Sequence, residues 1–178
     1  MSNHRPASIT SIPEFLAHAL ELEYESAERY RELAGNLAVH NNPEIAELFY
    51  YLSRMSDRHA QEVEDHAKGV QLPQIPPWDF KWAAGGSPEA NAAEQDEDLN
   101  YLMTPIQALR LALYNEIRGR DFYAKVAAGS PDAEVRQLAA EMVEEENEHA
   151  ALLVERLAKM DPTRAERVED LDPPNMPE

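Results

Sequence analysis

Two glutamate–tyrosine pairs recur in the sequence at the same spacing. Glu23 precedes Tyr30 by seven residues, and Glu116 precedes Tyr123 by seven residues. Seven residues are almost two turns of an α-helix, so each glutamate shares a helix face with its tyrosine, about 10 Å away. Such a repeat indicates either solvated helix faces or buried glutamates, and buried glutamates require compensation by cations.

A third motif supplies histidine. Glu146 and His149 are three residues apart, which puts both side chains on one helix face. A shift of ninety positions brings His59 onto His149, so the two halves of the chain have the pattern of a duplication. The same shift aligns Ile45 with Val135 and Leu48 with Leu138.

The elements that carry these motifs are predicted to be helices. Four stretches combine strong helix formers with helical periodicity, whereas strand signals are nearly absent. The connections at residues 40–42 and 129–131 are short, so each pair of helices should form an antiparallel hairpin. The predicted fold is all-α, a bundle of two such hairpins joined by a long crossover. Its helices are expected at Ile12 to Val39, Pro43 to Lys68, Thr104 to Ala128 and Asp132 to Met160, with capping signals at Ser11, Asn42, Thr104 and Ser130.

The remaining segments differ in composition. Residues 1–11 are predicted to be a flexible leader, residues 12–160 the bundle, and residues 161–178 an acidic, proline-rich tail. The crossover connector, residues 69–103, is long enough to run the length of a bundle. We expect its aromatic residues to be packed and its acidic part, Gly85 to Asp98, to be mobile. The aromatic residues are Trp78, Phe80 and Trp82.

The hairpin geometry predicts which polar residues meet. Residues of an antiparallel hairpin face each other when they are equidistant from its turn. Glu23 and His59 are centred on residue 41, and Glu116 and Glu146 are centred on residue 131, so both pairs should be level. If the hairpins pack with their polar faces together, both pairs and His149 converge at mid-bundle. Carboxylates with one imidazole per metal suit iron or manganese, with zinc as an alternative, and bridging carboxylates can hold two ions.

These segments resemble the rubrerythrin-like proteins of the ferritin-like superfamily. The resemblance covers Ile12 to Met160 and rests on the stretches 19–34, 109–123 and 144–150. It implies a ferritin-like four-helix bundle that holds two iron ions, and tyrosines that hydrogen-bond to the ligands or shield them. The implied ligands are Glu23, His59, Glu116, Glu146 and His149, and the implied tyrosines are Tyr30 and Tyr123.

The chain departs from the family pattern in three respects. Ser56 occupies the position where the E-x-x-H pattern requires a metal-binding glutamate, so it is expected beside the site. Glu62, about 60° from His59 around the helix, is the predicted replacement ligand. Gly119 occupies the position where peroxide-reducing members carry an additional carboxylate. The chain also has no cysteine, and hence no rubredoxin-like module, so an external electron donor is expected.

The leading functional prediction is a non-haem diiron oxidoreductase that reacts with oxygen or hydrogen peroxide, without catalytic side chains beyond the metal site. A first alternative is an iron-binding protein or ferroxidase concerned with iron handling. A second alternative is a degenerate, non-enzymatic bundle that has lost one metal, for which Ser56 is the main support. The peroxidase and ferroxidase types of activity are both compatible with the residues.

Charge and composition limit the partners. Acidic residues number 34 against 16 basic ones, and the net charge of −18 disfavours nucleic acid and anionic membranes. No secretory signal or membrane-spanning run is present, so a cytoplasmic location is the prediction, together with a homodimer. Two groups of residues are assigned no metal chemistry: His18, His40 and His66 are expected at the surface or in caps, and Tyr50 and Tyr51 in the core or at a dimer face.

Overall fold

The computed structural model of the protein describes residues 8–39, 43–82, 87 and 104–160. These ranges contain four α-helices and a short 3-10 turn at Pro77–Asp79, and no β-strand. None of the described helices is both long and apolar enough to cross a membrane. The all-α prediction is therefore confirmed. The helices are α1 (Ile12–Val39), α2 (Pro43–His66), α3 (Pro105–Gly129) and α4 (Ala133–Met160).

Local capping explains where the second hairpin's helices begin. The Thr104 hydroxyl accepts the backbone N–H of Gln107 at 3.3 Å, and the Gln107 side chain accepts the backbone N–H of Thr104 at 2.8 Å. At α4 the cap differs from the prediction at Ser130. Asp132 accepts two backbone N–H groups of the first turn at 2.9 and 3.2 Å, so the helix begins at Ala133.

The helices α1 and α2 form an antiparallel pair. Tyr24 of α1 donates to Glu64 of α2, and Arg31 of α1 pairs with Asp57 of α2. The second contact lies seven residues later in α1 but seven residues earlier in α2, so the two helices run in opposite directions. The turn between them, residues 40–42, lies outside the described residues. Helices α3 and α4 also pack closely along each other. Both predicted hairpins are therefore present.

Two hydrogen bonds between α1 and α3 define how the hairpins are joined. Tyr30 donates to Glu116, and Tyr123 donates to Glu23 at 3.2 Å. The contacts are seven residues apart on each helix but in opposite directions, so α1 and α3 run antiparallel where they touch. It follows that α2 and α3 run in the same direction, which is the topology that a long crossover produces. Apart from Ser87, residues 83–103 of that connector lie outside the described part of the chain.

The interior consists of two apolar clusters. The first surrounds Phe49 and Leu109, towards the end of α1, and the second surrounds Phe15 and Ala139, at the opposite end of the bundle. Each helix passes from one cluster to the other through buried polar residues. We call these residues the polar layer: Glu23, Ser26, Ser53, Ser56, His59, Asn115, Glu116, Glu146 and His149.

His18 fastens the first part of the connector to the second apolar cluster. The backbone N–H of Lys81 donates to His18 Nε2 at 2.9 Å, and Nδ1 lies 2.8 Å from the backbone oxygen of Glu14. Because Nε2 accepts, the ring proton is on Nδ1 and is donated to Glu14. Phe80 and Trp82 pack edge-on against the ring, with centroids at 4.9 and 5.1 Å. The surface position predicted for His18 is therefore wrong, because the ring is fully buried.

Other predicted segments are only partly described. Phe80 and Trp82 are packed as expected, but Trp78 is 83% exposed, so the prediction for that residue is wrong. Ile9, which the sequence assigns to the leader, is buried in the second apolar cluster. Except for Ser87, the stretch expected to be mobile lies outside the described residues, as does the tail.

The His18 anchor predicts a pH-dependent stability. Burial penalises the charged ring and lowers the pKa of His18, although the hydrogen bond to Glu14 partly opposes this. Since the folded-state pKa lies below the unfolded value of about 6.5, the contribution of His18 is complete above that pH and is lost as the pH falls. Between about pH 7 and pH 5 the free energy of unfolding should fall more steeply for the wild type than for His18→Gln, whose amide has both an acceptor and a donor but does not titrate.

Urea unfolding followed by circular dichroism at a series of pH values measures this difference. Parallel pH profiles for the two proteins would contradict the role assigned to His18.

Candidate metal centre

Three glutamates and two histidines are buried together in the polar layer. Exposure is 2% for Glu23, 1% for Glu116 and 3% for Glu146, and 3% for His59 and 5% for His149. Ionised carboxylates are rarely buried so completely unless charges or hydrogen bonds compensate them. The surroundings of each group therefore indicate what the layer can bind.

Glu116, Glu146 and His149 form a compact group. His149 Nδ1 lies 2.9 Å from Glu116 Oε2 and 3.8 Å from Glu146 Oε2. One ligand atom from each residue lies within 4.8 Å of the other two, and all three side chains are buried. Two hard oxygen ligands and one imidazole within this distance are a suitable donor set for one divalent cation.

Glu23 and His59 lie beside this group. His59 Nδ1 is 3.8 Å from Glu23 Oε2, and the His59 ring stacks on the ring of His149 with centroids 5.1 Å apart and an angle of 13° between the planes. The two imidazoles thus bring together the halves of the layer that the two hairpins supply. The structure brings all five residues that were predicted to converge into one layer.

The tyrosines bind the glutamates of the opposite hairpin. Tyr30 of α1 donates to Glu116 Oε1 of α3, and Tyr123 of α3 donates to Glu23 Oε1 of α1. The sequence spacing placed each tyrosine on the same helix face as a glutamate, but its hydroxyl reaches the other helix. In both cases the second carboxylate oxygen, Oε2, lies on the histidine side. The tyrosines therefore orient the carboxylates across the bundle.

Hydrogen bonding keeps Glu116 ionised despite its burial. Desolvation alone would raise the pKa of Glu116. The hydrogen bond and electrostatic attraction of His149 lower the pKa, and hydrogen bonds from Glu146 and Tyr30 add to this effect. The net result is a pKa below the ordinary value. Glu116 is thus prepared as an anionic ligand before any cation arrives.

The pKa of His59 is raised, whereas that of Glu116 is lowered. Burial alone would lower the pKa of His59, because it penalises the charged ring. The nearby Glu23 carboxylate, 3.8 Å from Nδ1, outweighs this penalty, and the charges of Glu145 and Glu62 add to its effect, so the pKa of His59 is raised. A proton on the ring partly compensates the neighbouring carboxylates, and a bound metal would displace that proton.

The position of the missing glutamate is occupied by Ser56 of α2, which pairs with Ser26 of α1. Ser56 is buried, and its hydroxyl lies 3.3 Å from the hydroxyl of Ser26. Glu62, the predicted replacement ligand, has a side chain that is 49% exposed and lies 3.7 Å from Arg58. The structure therefore does not bring Glu62 into the polar layer, and its role as a ligand stays a prediction.

Sequence reasoning missed Glu145. Its Oε2 atom lies 3.6 Å from His59 Nε2, and burial raises the pKa of its carboxyl group, with repulsion from Glu62 and Glu23 adding to the effect. Attraction to His59 opposes this rise. In the sequence Glu145 is one of several glutamates in the same stretch of α4. Glu145 is distinguished from the other glutamates of this stretch only by the rotation of α4 relative to α2, which turns it towards His59. The spacing of residues within one helix does not reveal that rotation.

The donor atoms fit a metal of the kind that the family resemblance implies. His59 Nδ1, which faces Glu23, is buried without a hydrogen-bond partner, so the bonding capacity of this nitrogen is not used. The remaining donors are the His149 imidazole and carboxylate oxygens. Carboxylate with imidazole suits iron or manganese, and the absence of cysteine excludes thiolate coordination.

Comparisons with known proteins point in the same direction. The family model described as Rubrerythrin matches residues 14–84, which include Glu23, Tyr30 and His59. A solved structure, described as an uncharacterized conserved protein from Magnetospirillum magnetotacticum, is 38% identical. The match covers 84% of this chain and 95% of that one, with a TM-score of 0.69. No curated protein matches the chain.

The crossed hydrogen bonds predict a stability effect. Tyr30→Phe leaves Glu116 Oε1 without its donor in a buried position, so the free energy of unfolding should fall by about 1–3 kcal/mol. Tyr51→Phe is a matched control, because Tyr51 is an exposed helical tyrosine, and it should change stability by less than about 0.5 kcal/mol. Urea denaturation of the metal-free proteins measures both. Equal effects of the two substitutions would show that the Tyr30 bond contributes nothing.

Proposed function

Since this chain belongs to the rubrerythrin-like family of ferritin-like proteins, we propose that it is a non-haem diiron oxidoreductase acting on oxygen or hydrogen peroxide. The observation that carries the proposal is the buried group of Glu116, Glu146 and His149, whose ligand atoms lie within 4.8 Å of one another. His59, whose ring stacks on that of His149, and Glu23, 3.8 Å from His59, would supply donors for the second ion.

The chemistry would belong mainly to the metals. Held by the buried glutamates and histidines, a pair of ferrous ions would supply two-electron reduction: hydrogen peroxide to water, or oxygen to hydrogen peroxide, with uptake of two protons and oxidation of the iron to the ferric state. The chain holds and orients the ligands. Tyr30 and Tyr123 fix the carboxylates, and the apolar clusters on either side of the polar layer limit the access of water.

A second candidate function is the oxidation of ferrous iron as part of iron handling. The observation that favours it is Gly119, a buried glycine in α3. The resemblance implies that peroxide-reducing members have a carboxylate at this position, three residues after Glu116. Without this carboxylate, reduction of hydrogen peroxide has less support than reaction with oxygen.

The partners and location remain predictions. Because the chain contains no cysteine, it has no iron–sulfur or thiolate centre of its own, and reduction of ferric ions requires an external electron donor. The homodimer and the cytoplasmic location are likewise part of the proposal. Tyr50 and Tyr51 are exposed rather than part of the core, which leaves them available for contact with a second copy.

Metal content tests the site directly. Protein loaded with ferrous iron should contain about two ions per chain. Glu146→Ala should lose at least one ion, because it removes a buried carboxylate beside His149. Glu148→Ala is the matched control, since Glu148 is an exposed glutamate on the same helix. Elemental analysis gives the ratio, and circular dichroism verifies that each variant is helical.

A helical wild type with only adventitious iron would sink the diiron proposal and favour the non-enzymatic alternative. Glu62→Ala, analysed in the same series, tests the predicted replacement ligand. Because the Glu62 side chain is half exposed and paired with Arg58, we expect its iron content to equal that of the wild type.

Oxidation of the ferrous protein distinguishes the two active proposals. An oxidoreductase should consume oxygen or peroxide repeatedly when an electron donor is supplied, and Glu146→Ala should abolish this consumption. An iron-handling protein should oxidise only the iron that is added and should not turn over with the donor. Stopped-flow absorbance together with an oxygen electrode separates these results. Consumption that is equal in wild type and Glu146→Ala would argue against both.

A further inference from the structure

His59 meets carboxylates on opposite sides of its ring. Its Nδ1 atom lies 3.8 Å from Glu23 Oε2, within the polar layer, and its Nε2 atom lies 3.6 Å from Glu145 Oε2, on α4. The ring is 3% exposed, so water has little access to either nitrogen. The two carboxylates therefore determine which nitrogen of the neutral ring carries the proton.

His149 provides the internal comparison. Its Nδ1 atom also faces the buried glutamates, at 2.9 Å from Glu116 and 3.8 Å from Glu146. Its Nε2 atom is buried and has no hydrogen-bond partner. Both rings thus turn Nδ1 towards the carboxylates that could share a metal. The difference between them is the carboxylate that faces Nε2 of His59.

Glu145 has an oxygen suited to accept a hydrogen bond from His59 Nε2. Its side chain is 32% exposed, yet Oε2 is buried and accepts no hydrogen bond. The distance of 3.6 Å to His59 Nε2 is slightly longer than a hydrogen bond, and a small rotation of a partly exposed side chain closes it. A buried acceptor without a donor favours such a rotation.

The two carboxylates have opposite effects on the tautomer. A neutral imidazole carries one proton, and the nitrogen that binds a metal must be the other one. Glu23 alone would favour a proton on Nδ1 and so block the nitrogen that faces the layer. Glu145 favours the proton on Nε2 and leaves the Nδ1 lone pair free.

On the basis of the diiron function proposed above, we propose that Glu145 is a positioning residue for His59. Its carboxylate accepts a hydrogen bond from the Nε2–H group and so leaves Nδ1 free to bind iron, in the half of the polar layer where Ser56 replaces a glutamate. Added negative charge on the far side of the ring also makes His59 a more basic ligand, which offsets part of the loss at Ser56.

The rival interpretation is that Glu145 binds metal directly. The geometry favours the positioning role, because Glu145 approaches Nε2, whereas Glu23 approaches Nδ1 on the opposite side. The acidic residues of α2 offer no competitor, since all of them are exposed: Glu44, Glu47, Asp57, Glu62, Glu64 and Asp65. The two roles differ in the effect of replacing Glu145 by glutamine, whose amide oxygen still accepts an N–H.

The first measurement is the tautomer of His59 in the metal-free protein. Nitrogen NMR of ¹⁵N-histidine-labelled protein, at alkaline pH where the rings are neutral, distinguishes the two forms. We expect the Nε2–H form to predominate in the wild type, to decline in Glu145→Ala and to be largely retained in Glu145→Gln. His149 should be unaffected, and Glu144→Ala, which alters an exposed neighbour, should resemble the wild type.

The second measurement is anaerobic titration with ferrous iron. Glu145→Ala should weaken the binding of one of the two ions by about 10–100-fold, the usual effect of removing a residue that orients a histidine ligand. Glu145→Gln should restore most of this affinity. The other ion should bind as in the wild type, because Glu116, Glu146 and His149 are intact.

The outcomes separate the two proposals. If the wild type binds no iron, the proposed function fails and this inference fails with it. If the wild type binds two ions and Glu145→Ala leaves the His59 tautomer unchanged, only the inference is overturned. Loss of one ion in both Glu145→Gln and Glu145→Ala would make Glu145 a ligand, which also overturns the positioning role.

Discussion

The structure depends on the burial of three glutamates between two apolar clusters. An isolated ionised carboxylate in such a place costs several kcal/mol, even after relaxation. Here the cost is offset by tyrosine hydroxyls and imidazoles. These partners come from different helices, so the layer is compensated only when both hairpins are assembled. A cluster of anionic oxygens held in this way attracts a cation more strongly than the same residues would in water.

The crossed tyrosine bonds connect the site to the topology. Tyr30 reaches Glu116 and Tyr123 reaches Glu23, and both contacts form only if α1 and α3 run antiparallel. With antiparallel hairpins, this requirement makes α2 and α3 parallel, and consecutive helices that run parallel cannot be joined by a tight turn. The long connector is therefore a consequence of the site's geometry as well as of the packing. His18, which holds the connector through the backbone of Lys81, lies in the apolar cluster that covers one side of the layer.

Sequence reasoning succeeded where positions are related through one helix or one hairpin. Helical periodicity and a short turn determine that Glu23 faces His59 and that Glu116 faces Glu146, because equal distances from a turn place residues level. It failed where the answer depends on how one hairpin is rotated against the other. The rotation of the hairpins decides which of the neighbouring glutamates of α4 faces His59, and that residue is Glu145. The burial of His18 depends on where the connector crosses the bundle. The equal spacing of the Glu–Tyr pairs indicated that each tyrosine lies on the same helix face as the glutamate of its own helix. It did not indicate that each tyrosine hydroxyl binds the glutamate of the other helix.

The serine at position 56 changes the charge of the layer without disturbing the fold. A glutamate there would give the polar layer a fourth buried carboxylate beside only two imidazoles, those of His59 and His149. With the hydroxyls of Ser56 and Ser26 paired, three buried glutamates face two imidazoles, so the metal-free layer is closer to neutrality. The same change removes a ligand from the side of His59. The replacement of one glutamate by serine therefore lowers the free-energy cost of the metal-free layer and also weakens the binding of one cation. The half of the layer around His149 keeps the denser set of donors.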